Sequence, residues 1–284
     1  MAQITAEAVK QLRDRTGMQM MKCKAALTEA GGDMDKAVEI LRKQNKEAQD
    51  KSASRATGEG RIGVFIDPAK QVGAIVEVLC ETAPVAKNEL FIKLANDLAR
   101  QVAYEGATAP EQLLGQKFVG DLKRTVNERV AEVVGLMREN IKPARMARLT
   151  GLLGDYVHHD GSVGVLLQVE GQHRADPRQV LRDVCMHIAA RSPKAALREH
   201  LAPDVIAKEK EIARAQLAAD PKSQGKPAQI LEKILEGKLK AWYQDNVLHD
   251  QLFVKDDTKT VGDLLRASGL KLVKFIRYKV GEQG

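Results

Sequence analysis

Residues 61–82 read RIGVFIDPAKQVGAIVEVLCET, two apolar runs parted by Asp67, Pro68, Ala69 and Lys70. The second run is nearly continuous: Val72, Ala74, Ile75, Val76, Val78 and Leu79 are apolar, and β-branched residues suit a pleat. This predicts a buried strand. Thr82, Ala83 and Pro84 then form a short loop, and Asn88-Glu89 opens an apolar-periodic helix. The pattern returns at 154–171, GDYVHHDGSVGVLLQVEG, again two runs and a turn. Val72-Gly73 falls on Val163-Gly164, 91 residues on. The helix LFIKLANDLARQVA (90–103) falls on VLRDVCMHIAARSP (180–193), with Leu94 on Val184 and Leu98 on Ile188, 90 residues on. Two offsets that nearly agree predict a duplicated β-β-α unit, hence an α+β fold with two similar subdomains.

Around this centre the chain divides readily. Val9 and Leu12 mark a first short helix, Met20, Met21, Ala25 and Leu27 a second, and Ala37, Val38, Ile40 and Leu41 a third capped by Asp33. Three short helices over residues 1–50 suit a docking module. The polar stretch NKEAQDKSASRATGEG (45–60) reads as a linker, with 51–61 as the boundary. Residues 62–145 make the first subdomain and 146–284 the second. Between the repeats, TVNERVAEVVGLMRENIKPARMARL (125–149) predicts a long amphipathic helix, ended or bent at Pro143. A helical hairpin over about 203–245 follows. Its second helix carries a stripe of Leu231, Ile234, Leu235, Leu239 and Trp242, and Pro221 and Gly225-Lys226-Pro227 make the turn. High charge outside that stripe suggests a protruding coiled-coil arm. TVGDLLRASG (260–269) predicts a short helix. LKLVKFIRYKV (270–280) predicts a strand alternating Leu272, Lys274, Ile276 and Tyr278 against Val273, Phe275 and Arg277.

Composition narrows the function. With 44% hydrophobic residues among 284, the chain can build a real core. No apolar run approaches 18 residues, and the N-terminus lacks a signal peptide's apolar centre, so the protein reads as cytoplasmic. Three dispersed cysteines, Cys23, Cys80 and Cys185, read as buried thiols rather than disulfides or zinc ligands. A net charge of +7 suits nucleic acid or an acidic protein partner. Aromatics at 4% do not interleave with basic segments, which argues against nucleic-acid stacking.

Phosphate-loop, dinucleotide, HExxH and CxxC motifs are absent. His158-His159 lacks a third ligand for zinc and reads as a turn feature; His187, on an apolar helix, reads as a satisfied core histidine. No nucleophile elbow occurs. The residues thus describe a protein that binds, with no cofactor, metal or covalent chemistry expected.

Several stretches then carry a resemblance. VKQLRDRTGMQMMKCKAAL (9–27), GGDMDKAVEILRKQ (31–44), TAPVAKNELF (82–91), MHIAARSP (186–193), residues 226–265 and FIRYKVGE (275–282) resemble, in order, the elongation factor Ts family. The resemblance implies a UBA-like N-terminal unit and a guanine-nucleotide exchange factor that engages GDP-bound and nucleotide-free EF-Tu. Such a factor works without catalysis, by disturbing the Mg²⁺ site. Thr82, Ala83, Pro84 and Val85 take the place of the loop that performs the disturbance. Met20, Met21, Lys24, Lys87, Asn88 and His158 take positions that contact the GTPase. The family's Asp-Phe pair is Ala83-Pro84 here. A compensating partner surface, a weaker wedge helped by binding elsewhere, or binding without efficient exchange would each fit. A homodimer through the arm also stays open, as does the alternative of a basic RNA- or ribosome-associated protein without exchange activity.

Overall fold

The computed structural model describes residues 4–172, 176–223 and 226–282. Three helices come first: α1 (Ala6–Thr16), α2 (Met20–Glu29) and α3 (Met34–Ser52). Thr5 Oγ1 caps α1 at Ala8 N, and Asp33 caps α3 at Asp35 N and Lys36 N. Their small core is Val9, Leu12, Met18, Cys23, Ala26, Leu27, Ala37 and Leu41. Of the residues expected to mark α2, Leu27 is buried, but Met20, Met21 and Ala25 face outward. Met18, only 2% exposed, fills the place a methionine was expected to take. The supposed linker is helical as far as Ser52. A pair between Lys46 and Asp50 at 2.9 Å spans one turn of that extension, and Gln49 Nε2 donates to Asn127 Oδ1 at 3.0 Å.

The chain continues through β1 (Glu59–Asp67), β2 (Val72–Cys80), a single turn α4 (Ala83–Ala86), α5 (Glu89–Glu105) and α6 (Pro110–Gly115). It goes on through β3 (Lys117–Phe118), β4 (Asp121–Thr125), α7 (Val126–Met137) and β5 (Lys142–Thr150). Next come β6 (Leu152–Val157), β7 (Val163–Gly171), α8 (Arg178–Arg191), α9 (Pro203–Ala219) and α10 (Ala228–Asn246). Last are β8 (Leu252–Phe253), β9 (Asp256–Thr260), α11 (Val261–Ala267) and β10 (Leu270–Lys279). The result is an α+β molecule: three N-terminal helices, then mixed sheets and helices.

Two antiparallel three-stranded sheets stand at the centre, ordered β1-β2-β5 and β10-β7-β6. They pack face to face over Ile62, Ile75, Leu149, Leu153 and Leu166. The outer face of the first carries α5 and α7, with Val76, Val78, Phe91, Leu94, Leu98 and Val130 in its core. The second carries α8 and α11, with Val165, Leu167, Leu181, Val184, Val261 and Leu265. Burial on both faces explains why the second run of the opening stretch is so continuously apolar. Glycine lets the sheets approach: a Cβ on Gly73 would sit 2.8 Å from Leu153, and one on Gly164 2.3 Å from Ile62.

The long helix expected over 125–149 is not formed. A capping box of Thr125 and Glu128 starts α7, but Arg138, in the left-handed region at φ 61°, ends it after Met137. Residues 142–150 instead pair with the open edge of β2, Ala147 opposite Ile75. Arg145 reaches the buried Glu77 at 2.7 Å. The tertiary pairing outweighs the helical tendency of the Ala-Arg-Met-Ala-Arg run. Pro143 is tolerated because β5 lies on the sheet's edge at a register shift. The expected alternation of β10 also breaks, at an irregularity between Leu272 and Lys274. Leu270, Leu272 and Phe275 therefore join the helix-side core, while Ile276 and Tyr278 join the sheet interface.

α9 and α10 pack on each other as a hairpin. Ala213 and Leu217 of α9 meet Leu235, Ile234 and Leu239 of α10. Trp242 and Tyr243 pack at the root with Ala195, Leu201 and Val247. Gly225 of the expected turn lies outside the described residues. Cys23, Cys80 and Cys185 are free and buried, as expected.

Candidate functional site

The expected short loop after β2 is a one-turn helix. Thr82 is extended, and Lys87 N donates to Ala83 O and Pro84 O. Pro84 sits in the first turn, where its missing N–H removes no bond. Ala86 is buried and Val85 packs against the helix-side core, so the turn has an apolar foot. Thr82, Pro84, Lys87 and Asn88 are exposed around it. Val85, expected in the wedge, is turned half inward. Asn88, expected as a contact, caps α5 by accepting from Leu90 N at 2.9 Å. Leu90 is itself an exposed apolar residue beside the turn.

The root of the turn is held from a distance. Glu139 Oε2 accepts from Glu81 N and Thr82 N, both at 3.1 Å, and Oε1 accepts from Thr82 Oγ1 at 2.6 Å. Glu81 in turn accepts from Asn140 N and pairs with Arg55 at 3.2 Å. Cys80 lies beneath. Burial, and secondarily the Glu139 charge, push its thiol up to about 12, so it stays protonated and inert.

The second expected contact set lies on α2. Met20 is 43% and Met21 74% exposed, and Lys24 is exposed beside them. Two adjacent methionines in water, when Met18 already serves the core, suit an adaptable contact surface. Lys22, between them and Lys24, instead turns inward and donates to Gly135 O at 3.1 Å. Burial, then Arg138, lowers its pKa. Arg55 donates to Arg138 O at 2.9 Å. The α2 patch and the turn at Thr82–Val85 are thus both fastened to the stretch from Gly135 to Asn140.

His158 sits in the β6–β7 turn. Its Nδ1 lies 3.0 Å from Tyr156 Oη, and its ring lies 4.3 Å from that of His159. That turn meets β1 through Ile62 N, which donates to Gly161 O at 2.9 Å. Ile62 is three residues from Glu59, the strand partner of Cys80. The β6–β7 turn therefore meets β1 about 10 Å along the strand from the base of the Thr82–Val85 turn.

Sequence reasoning missed Glu139, Glu81, Asn140 and Arg55. Nothing local marks them, because their partners lie 26 to 87 residues away.

Among the described residues no group of three His, Cys, Asp or Glu could hold a metal. His187 is fully buried with both nitrogens bonded, to Gln251 Oε1 at 2.9 Å and from Val254 N at 3.3 Å. A cleft of about 540 Å³ lies between α3 and α7 and is lined by Arg42, Lys43, Asn45 and Arg124. None of the expected contact residues lines it. Among the described residues, no helix is long and apolar enough to cross a membrane.

The comparisons agree with a binding protein. The sequence model of the family described as Elongation factor TS matches residues 81–282. An Elongation factor Ts of Halothermothrix orenii is 37% identical over 281 residues, covering 98% of this chain and 93% of its own. One from Clostridium botulinum is 36% identical, and one from Clostridium kluyveri 37%, each over 289 residues with the same coverage. The chain belongs to the elongation factor Ts family, the non-catalytic factors that exchange the nucleotide of EF-Tu during translation elongation.

Proposed function

We propose that the turn Thr82–Val85 is the element that loosens GDP on EF-Tu, with Met20, Met21 and Lys24 as the dock that brings it there. One observation carries this reading: an exposed Pro84 stands on a buried foot, Ala86, and a tied root, Thr82. A wedge must be stiff, because a tip that yields transmits no displacement to the partner. Proline fixes φ, and its ring offers a small apolar prow. The chain favours nucleotide-free EF-Tu, so by linkage it weakens GDP by the same factor that GDP weakens it. Displacing Mg²⁺ removes the main counter-charge of the phosphates. With no carboxylate or aromatic at 83–84, the exposed methionines carry a larger share of the binding than the turn does. Lys87, Asn88 and His158 flank the turn as secondary contacts. Such a partner places the work in the cytoplasm.

The test is release of a fluorescent GDP analogue from EF-Tu with substoichiometric chain. We expect multiple-turnover release, slowed roughly tenfold or more at subsaturating factor by Met20→Ala/Met21→Ala. Pro84→Gly should lower the maximal rate instead. Unchanged kinetics in both variants would refute the assignment.

The two sheets and their helices read as two copies of one plan. Ile62 and Leu153, and Gly73 and Gly164, are each 91 residues apart and contact one another crosswise. The helices correspond best 86 residues apart, with Gly106 and Ser192 both ending in left-handed caps. That is one helical turn away from the sequence alignment, so Leu98 rather than Leu94 falls on Val184. Further on, Gln116 and Gln251 each accept from the first residue of a capping-box helix, 135 residues apart. The step from 86 to 135 is filled by the α9–α10 arm, an insertion in the second copy.

A further inference from the structure

We propose that Glu139 is the positioning residue of the exchange turn, fixing where Pro84 points when EF-Tu docks. This rests on the reading of Thr82–Val85 given above. Glu139 directs its whole carboxylate at the root of that turn: two backbone N–H groups and one hydroxyl, all from Glu81 and Thr82. Such bonds to an ionised acceptor are directional. The left-handed Arg138 swings the chain so that the following residue reaches the end of β2.

Behind Glu139 stands a second set of ties. Asn140 Nδ2 donates to Ala53 O at 3.2 Å and Arg55 O at 2.6 Å, while its backbone N–H donates to Glu81. Residues 138–140 therefore grip the chain leaving α3 with one hand and the root of the exchange turn with the other. Docking through α2 then delivers the turn at a fixed place and angle.

The two bonds to Thr82 are solvent-accessible. Water can replace them when they break, so they add little to global stability. Their loss frees the turn to rock about its root. The fraction of molecules holding Pro84 in the effective orientation falls, and the maximal exchange rate falls with it, while docking through α2 stays intact.

The experiment uses the full chain and GDP-analogue release from EF-Tu, titrated to saturation. Glu139→Gln should lower the maximal rate about tenfold and change the half-saturating concentration less than about threefold. Thr82→Val should lower the maximal rate in the same way, Thr82→Ser should restore it, and Thr82→Val/Glu139→Gln should be no slower than Glu139→Gln alone. Thermal melting should place all four within a few degrees of the parent. Should Glu139→Gln fail to fold, the exposed Thr82 pair of variants still decides the matter. Unchanged maximal rates in Glu139→Gln and Thr82→Val, with Pro84→Gly slowed, overturn the positioning role and leave the turn's role standing. An unchanged Pro84→Gly overturns the turn's role and the proposal with it.

Discussion

Gln101 in the first half and His187 in the second each pin a small hairpin to the helix above it, with different chemistry. Gln101 Nε2 donates to Gln116 Oε1 at 3.1 Å and Lys117 O at 2.9 Å, and its Oε1 accepts from Val119 N at 2.8 Å. His187 Nδ1 accepts from Val254 N, which leaves the proton on Nε2 to face Gln251 Oε1. An amide keeps its donor and acceptor at any ordinary pH. An imidazole keeps them only while neutral. Burial, and then Arg191, lower the His187 pKa below its ordinary 6.5, against the opposing bond to Gln251. Below pH 6.5 the unfolded chain takes a proton there that the folded chain refuses. The stability from a neutral His187 is thus complete above that value and declines as pH falls through it. On acidification the part of the molecule around the second sheet should therefore loosen before the part around the first.

The widest difference between the halves concerns how the helices seat on the sheets. A Cβ on Gly63 would lie 2.3 Å from Ala95 O, a backbone atom, whereas one on Gly154 would lie 2.6 Å from the Leu181 side chain. Gly63→Ala should cost about 4 kcal/mol, since α5 must shift. Gly154→Ala should cost about 3 kcal/mol: the atom met is Leu181 Cβ, fixed to its backbone, so α8 must shift too, though from a slightly looser contact. Urea unfolding measures both, and equal losses would break the contrast. Next in size is the pair of the buried Glu77 and the partly exposed Arg145 in the first sheet, set against Gln168 of the second, bonded to Thr150 O at 2.8 Å. Arg145→Leu takes the cation from the buried Glu77 carboxylate, leaving it the bond from Gly281 N at 2.9 Å, and should cost about 3 kcal/mol at neutral pH, less in acid. Gln168→Leu should stay within about 1 kcal/mol. Smallest is His187→Gln, which gives the second half the first half's chemistry. It should cost about 1 kcal/mol at pH 7.5 and flatten the decline below pH 6.5 in melting curves. A variant as acid-sensitive as its parent would place the sensitivity elsewhere.

Both central hairpins are legible in the sequence because their strands are buried and their turns carry Asp, Pro and Gly. The stretch 142–150 is not, because its strand form depends on an edge of β2 supplied 70 residues earlier. The phase of α2 misleads for another reason. Three methionines fall within four residues, and composition does not say which of them enters the core. At the exchange turn, the family resemblance names Thr82–Val85 but not what holds them. Glu139 follows an unremarkable helix end, and only the folded chain brings it to Thr82.

The arm leaves and rejoins the body at neighbouring backbone atoms. Ala195 and Val247 form a bridge, and Lys194 N donates to Asn246 O at 2.8 Å. Because those ends already meet, the rest of the domain does not register what lies between them. Shortening α9 and α10 together by whole turns, or splicing in a foreign hairpin, changes the closure entropy only slightly. The junction is a natural socket, where an engineer can attach a reporter or a tether while the body keeps its own stability.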